Sequence, residues 1–144
     1  MPVQARRAVI AVLLMLFPVL LLAEGQVRTI SDEELAGLLE QGVVLVDVRT
    51  EPEWRETGIV KGAHLLTFVD SRGRLQADFV PRLQAVLGGR DVPVALICRS
   101  GNRSAMAASV LASQAGFSEI YNVRGGMRGW LGASRPVQAY PPAP

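Results

Sequence analysis

One cysteine and one histidine are all that 144 residues contain, and each scarcity closes off a chemistry. Cys98, being alone, forms no internal disulfide. No pair of side chains has the spacing of a metal site, so no metal and no other cofactor is expected. The chain has no cluster of Lys and Arg, which argues against nucleic acid as a partner. Its net charge of +2 belongs to its first residues: without Arg6 and Arg7 the 15 basic residues become 13, equal to the 13 acids. No segment repeats another.

What the chain does have begins at its N-terminus. Arg6 and Arg7 precede an apolar run from Ala8 to Ala23, interrupted only by Pro18. A basic stretch, an apolar stretch and then a small residue form the pattern of a signal peptide. Residues 1–23 are therefore expected to direct export, to the periplasm or an equivalent compartment, with cleavage after Ala23. Leu21 stands where a small residue is preferred. The alternatives are a retained N-terminal anchor over residues 8–23, the one way a membrane becomes a partner, and a buried core helix. The run falls short of the roughly 20 residues that cross a bilayer. No cysteine lies near its end, which argues against lipoprotein anchoring. Residues 24–133 then suit one domain, and residues 134–144 form a proline-rich tail expected to fray.

An exported lone thiol is exposed to an oxidising compartment, a liability unless the thiol has a task. The alternative is a buried Cys behaving as a small hydrophobe. Its neighbours decide between them. Ser31-Asp32-Glu33-Glu34 has the form of a capping box opening a helix, with Leu35, Leu38 and Leu39 on one face and Gly42 at its end. VVLVDV is a continuous apolar run with β-branched residues, as in a strand buried on both faces of a parallel sheet. Thr50 to Glu56 reads as a short helix with Pro52 in its first turn, and Asp78 to Leu87 as another, closed by Gly88-Gly89. Pro93 to Ile97 is a second buried strand, leading directly into Cys98. A helix from Ser104 to Ala115 follows, capped by Gly116. Ile120 to Val123 is a third strand, succeeded by Gly125-Gly126 and a turn carrying Met127 and Trp130. Strands alternating with helices imply an α/β fold with a mainly parallel sheet.

A strand delivering a residue to its carboxyl end, then a tight loop, then a helix, is where open α/β sheets place their ligands. Here the delivered residue is the thiol, in the segment CRSGNRS from Cys98 to Ser104. Gly101 permits a positive φ and close approach of the backbone to a ligand. Successive N–H groups of such a loop form an anion-binding nest, reinforced by the helix that follows. Arg99 and Arg103 add formal positive charge. Such surroundings favour a thiolate, the reactive form of cysteine, and would hold a persulfide anion or the oxyanions of thiosulfate.

With these residues in view, the chain resembles the rhodaneses, or thiosulfate sulfurtransferases, in their single-domain form. The resemblance runs from about Arg28 to Trp130. It is carried by LVDVRTEPEW, GIVKGAH, LICRSGNRS and NVRGGMRGW in that order and spacing. It implies a rhodanese-like fold, a five-stranded mainly parallel sheet flanked by helices on both faces. It also implies a reaction in which Cys98 takes a sulfane sulfur from a donor such as thiosulfate and passes it to cyanide or a thiol, on a small molecule or a protein. By the same resemblance, the N–H groups of Arg99, Ser100, Gly101, Asn102, Arg103 and Ser104 cradle the sulfur.

Around the loop the expectations are plainer. Asp47 and Arg49 end the VVLVDV strand, where Asp47 would either orient the loop or form a structural ion pair. Glu53 and Arg55 are read as structural. His64 is expected to pack beneath a loop rather than act as a base. Trp54 and Trp130 are read as core aromatics, with the pocket mouth as the other placement for Trp130. Arg124, Arg128 and the Gly125-Gly126 turn are candidates to border the site, though spacing does not show it. Three rival functions remain. Phosphatases and arsenate reductases of the related cell-division-cycle type use a longer C-x5-R loop; here Arg103 gives C-x4-R, a smaller nest. Non-catalytic rhodanese-like modules commonly lack the cysteine. A persulfide carrier for one protein partner needs the same site as the enzyme.

Overall fold

The computed structural model describes residues 25–141. The expected signal peptide or anchor of residues 1–23 lies outside the described residues. The elements are β1 (Gln26–Ile30), α1 (Asp32–Glu40), β2 (Val44–Asp47), α2 (Glu51–Thr57), β3 (His64–Leu65), α3 (Phe79–Leu87), β4 (Val94–Ile97), α4 (Asn102–Ser113), β5 (Glu119–Val123) and α5 (Gly126–Gly132). All five strands pair in parallel, in the order β1-β5-β4-β2-β3.

Side chains that alternate along a strand feed two separate cores. On β4, Val94 and Leu96, followed by Cys98, face a cluster with Leu83, Phe79 and Leu111 from α3 and α4. Ala95 and Ile97 face the other cluster, with Leu35, Met127 and Trp130 from α1 and α5. Both faces of the sheet are thus covered, as a continuous apolar strand requires. The capping box is formed in full: the Glu34 N–H donates to Ser31 Oγ (3.1 Å) and the Ser31 N–H to Glu34 Oε2 (2.8 Å).

Several local expectations change. Edge strand β1 had no apolar run to announce it, since only Ile30 of QVRTI is buried. β3 is two residues long. It leaves His64 exposed, beside Val46 in the ladder, and not packed beneath a loop. Helix α4 begins at Asn102, two residues earlier than the polar loop suggested, and the turn after Gly125 is a helix. The start of the tail does not fray. Ile59 and Gln138 exchange backbone hydrogen bonds, both 2.9 Å, and Tyr140 meets the Trp54 ring edge-on at 5.5 Å. The indole N–H of Trp130 donates to the Pro136 carbonyl (2.9 Å), so Trp130, 4% exposed, is a core residue.

Candidate active site

Strand β4 ends in the sheet's interior, and its next residue, Cys98, is only 1% exposed. The chain then turns through Arg99, Ser100 and Gly101 into α4. Gly101 has φ +95°, and a Cβ there would sit 2.2 Å from the Arg124 carbonyl oxygen. Only glycine fits such a position. Gly126 is equally confined: a Cβ would lie 2.5 Å from the Cys98 carbonyl oxygen. The loop and the Gly125-Gly126 turn are therefore pressed backbone to backbone.

That contact orients the loop. The Met127 N–H donates to the Cys98 carbonyl (2.8 Å) and the Arg128 N–H to the Arg99 carbonyl (3.0 Å). With these carbonyls engaged by α5, N–H groups are left for the other side. The Gly101 N–H donates to Cys98 Sγ at 3.1 Å. The Ser104 hydroxyl lies 3.3 Å from the same sulfur and 3.2 Å from the Gly101 carbonyl, one proton between two acceptors. The N–H groups of Ser100, Asn102, Arg103 and Ser104 have no hydrogen-bond partner among the described residues, as expected for the first turn of a helix. They lie at the positive end of α4, where an anion is favoured. The sulfur is thus held by polar hydrogens on one side while Cys98 packs into the core on the other.

The two arginines of the loop part company. Arg103 reaches across to α2 and grips Glu53 with both nitrogens, Nη1 to Oε2 at 2.8 Å and Nη2 to Oε1 at 2.5 Å. Glu53 also accepts from the Thr50 N–H (3.0 Å) and hydroxyl (2.9 Å). Burial alone would raise the pKa of Glu53. The hydrogen bonds from Arg103 and Thr50 outweigh it and hold the carboxyl at about 2, against 4.5 ordinarily. The same pairing, against some desolvation, raises the pKa of Arg103. Its charge is already matched by a carboxylate, which changes the expectation that it awaits a donor's oxyanion. Arg99 is exposed, and among the described residues it has no carboxylate partner, nor do Arg124 and Arg128.

Asp47 and Arg49 are 0% and 1% exposed. Arg49 donates to Asp47 from its backbone N–H (3.0 Å), Nε (3.0 Å) and Nη2 (2.7 Å). Its remaining hydrogens go to the Glu53 carbonyl (3.2 Å), Thr57 Oγ1 (2.6 Å) and the Gly58 carbonyl (2.8 Å). All five guanidinium donors are used. Asp47 accepts nothing from the Cys98 loop among these bonds. The pair ties β2 to α2, and α2 reaches the loop through Glu53 and Arg103.

Beside the loop opens a cleft lined by Glu53, Thr57, Arg99, Met127, Arg128 and Leu131, among others. Arg128 and the Gly125-Gly126 turn, candidates from sequence to border the site, do so; the anchoring of the loop by the Met127 and Arg128 N–H groups left no sequence signal. The Arg103–Glu53 pair, 50 positions apart in the chain, left no sequence signal.

Residues 31–133 match the rhodanese-like domain. The chain belongs to the rhodanese family. It is 36% identical over 103 residues to the thiosulfate sulfurtransferase GlpE of Pseudomonas savastanoi pv. phaseolicola, covering 72% of this chain and 86% of that protein. To the GlpE of Pseudomonas fluorescens SBW25 it is 35% identical over 106 residues, 74% of this chain and 86% of the relative. Among solved structures, Rv0390 from M. tuberculosis superposes with a TM-score of 0.64 at 28% identity, covering 78% of this chain and 96% of that one. The rhodanese fold, with its five-stranded parallel sheet, is the one expected from the sequence.

Proposed function

We propose that this rhodanese domain is a sulfurtransferase that carries sulfane sulfur as a persulfide on Cys98. The observation that carries the reading is the Cys98 sulfur at the head of α4, met by the Gly101 N–H and the Ser104 hydroxyl. In the first half-reaction the Cys98 thiolate attacks the outer sulfur of thiosulfate. An S–S bond forms to Sγ, and the bond to the sulfonate sulfur breaks. Sulfite leaves with that electron pair, and the negative charge passes to the terminal persulfide sulfur. Free N–H groups of the loop and the positive end of α4 suit that anion. A nucleophilic acceptor then attacks the terminal sulfur and returns the electron pair to Sγ. Sulfur donors and acceptors are the substrates that the GlpE likeness implies.

The phosphatase alternative has less support. Its arginine must face phosphoryl oxygens, whereas Arg103 is bound by Glu53. A carrier serving one protein thiol uses the same persulfide and differs only in its acceptor.

Incubation with thiosulfate is expected to add one sulfur atom to the intact mass, and addition of cyanide to yield thiocyanate. Cys98→Ser should abolish both while keeping the native circular dichroism spectrum. A mass gain that survives this substitution rules out the reading. Export is proposed on the pattern of Arg6, Arg7 and the apolar residues Ala8 to Ala23. N-terminal sequencing of the protein from fractionated cells tests it: a start just after Ala23 supports cleavage, and a start at Met1 contradicts it.

A further inference from the structure

The cleft beside the loop contains more than an inorganic donor needs. Thiosulfate is small and charged throughout, and it gains nothing from hydrocarbon. Yet one side of the cleft is apolar, where Leu131 is 38% exposed and Met127, 1% exposed, backs it from the core. Arg99 and Arg128 supply two exposed guanidinium groups. Arg99 belongs to both the loop and the cleft, and its carbonyl accepts the Arg128 N–H. The cleft therefore adjoins the loop that holds the sulfur.

The charges in the cleft do not cancel. Arg49 is matched by Asp47, and Glu53 by Arg103. That leaves Arg99 and Arg128 against Glu56, exposed near the end of α2 and without a cation partner among the described residues. An excess positive charge faces an apolar wall. A ligand complementary to both has a short hydrocarbon stem and an anionic end.

We propose that the acceptor is an organic thiol bearing a carboxylate, whose carboxylate is held by Arg128 and Arg99 while its stem lies along Leu131. This rests on the sulfurtransferase reading and names the acceptor class of that same site. In the step, the acceptor thiolate attacks the terminal sulfur of the Cys98 persulfide. The new S–S bond forms as the Sγ–S bond breaks, and its electron pair returns to Sγ as thiolate. The transferred sulfur keeps its negative charge, so the product is the acceptor's persulfide anion. No oxidant or reductant is consumed.

Three acceptors of similar size separate charge from reactivity: 3-mercaptopropionate, 2-mercaptoethanol and cysteamine. Sulfite release from saturating thiosulfate gives kcat/KM for each. Thiols differ in intrinsic nucleophilicity, so the informative quantity is the mercaptopropionate-to-cysteamine ratio compared between variants, where that difference cancels. Arg128→Glu should lower the ratio about tenfold, as expected for reversing one partly exposed charge beside a charged ligand. Arg128→Gln should lie between Arg128→Glu and the wild type. Both retain the backbone N–H that bonds to Arg99, and a ratio is insensitive to partial loss of folded enzyme. An unchanged ratio in Arg128→Glu overturns the proposal, as does turnover with cyanide but with none of the thiols. In both cases the persulfide reading stands. Failure of Cys98 to load sulfur at all removes both.

Discussion

Glu53 and Arg103 show how a residue's role depends on a partner distant in sequence. From the loop alone, Arg103 is a cation beside a thiol. In the fold it is a strut between α4 and α2, bound at both nitrogens by a carboxylate held at about 2. A carboxyl whose pKa is lowered on folding stabilises the native state in full above its unfolded value. That contribution is lost as pH falls toward the folded value. For Glu53 the window runs from 4.5 down to about 2. Glu53→Gln removes this contribution at neutral pH. The stability gap between wild type and variant, measured by urea unfolding, should be largest at pH 6–7, shrink below 4.5 and close near 2. Taking the difference cancels the other acid-sensitive carboxyls, such as Asp32, lowered by the Arg135 side chain, and Asp70, lowered first by the Arg74 backbone N–H. A gap that stays constant down to pH 3 would show that the ion pair contributes no stability of its own.

At the scale of elements, what was readable followed from burial. Strand β4 and the loop after it were legible because an apolar run of β-branched and aliphatic residues must lie inside, and a glycine after the cysteine must turn. β1 was not, because four of its five residues face solvent at the sheet edge. α5 was hidden by its glycines, which weaken helix propensity but let it press against the loop at Gly126. Asp47 and Arg49 were legible as an ion pair; the second element they hold, α2, was not. Removing one member of a buried pair leaves the other charge uncompensated, at a cost of about 3–5 kcal/mol. Asp47→Asn and Arg49→Met should each lower the unfolding free energy, measured by urea denaturation, by about that amount. The double substitution should cost less than the sum of the two, since it leaves no charge stranded. Strict additivity would show that the two groups do not depend on each other.

At the scale of the whole molecule, the same burial that supports the fold restricts access to the chemistry. Cys98 belongs to the larger core cluster and is 1% exposed, so a reagent reaches its sulfur through the loop or not at all. A small donor is expected to pass where a bulky oxidant or disulfide is excluded. For a chain proposed to work outside the cytoplasm, this is a physical means of keeping a lone thiol from mixed disulfides without a partner cysteine. The consequence can be measured by thiol titration with an aromatic disulfide, on the native protein and in guanidinium chloride. Native Cys98 should react more slowly by about tenfold or more, because attack on a buried group waits for local opening. Iodoacetamide, being smaller, should show a weaker protection factor than the aromatic disulfide. If the two reagents were slowed equally, access would be governed by opening of the loop as a unit and not by the width of its mouth. If neither were slowed, the sulfur would be open to solvent, and its freedom from oxidation would need another cause.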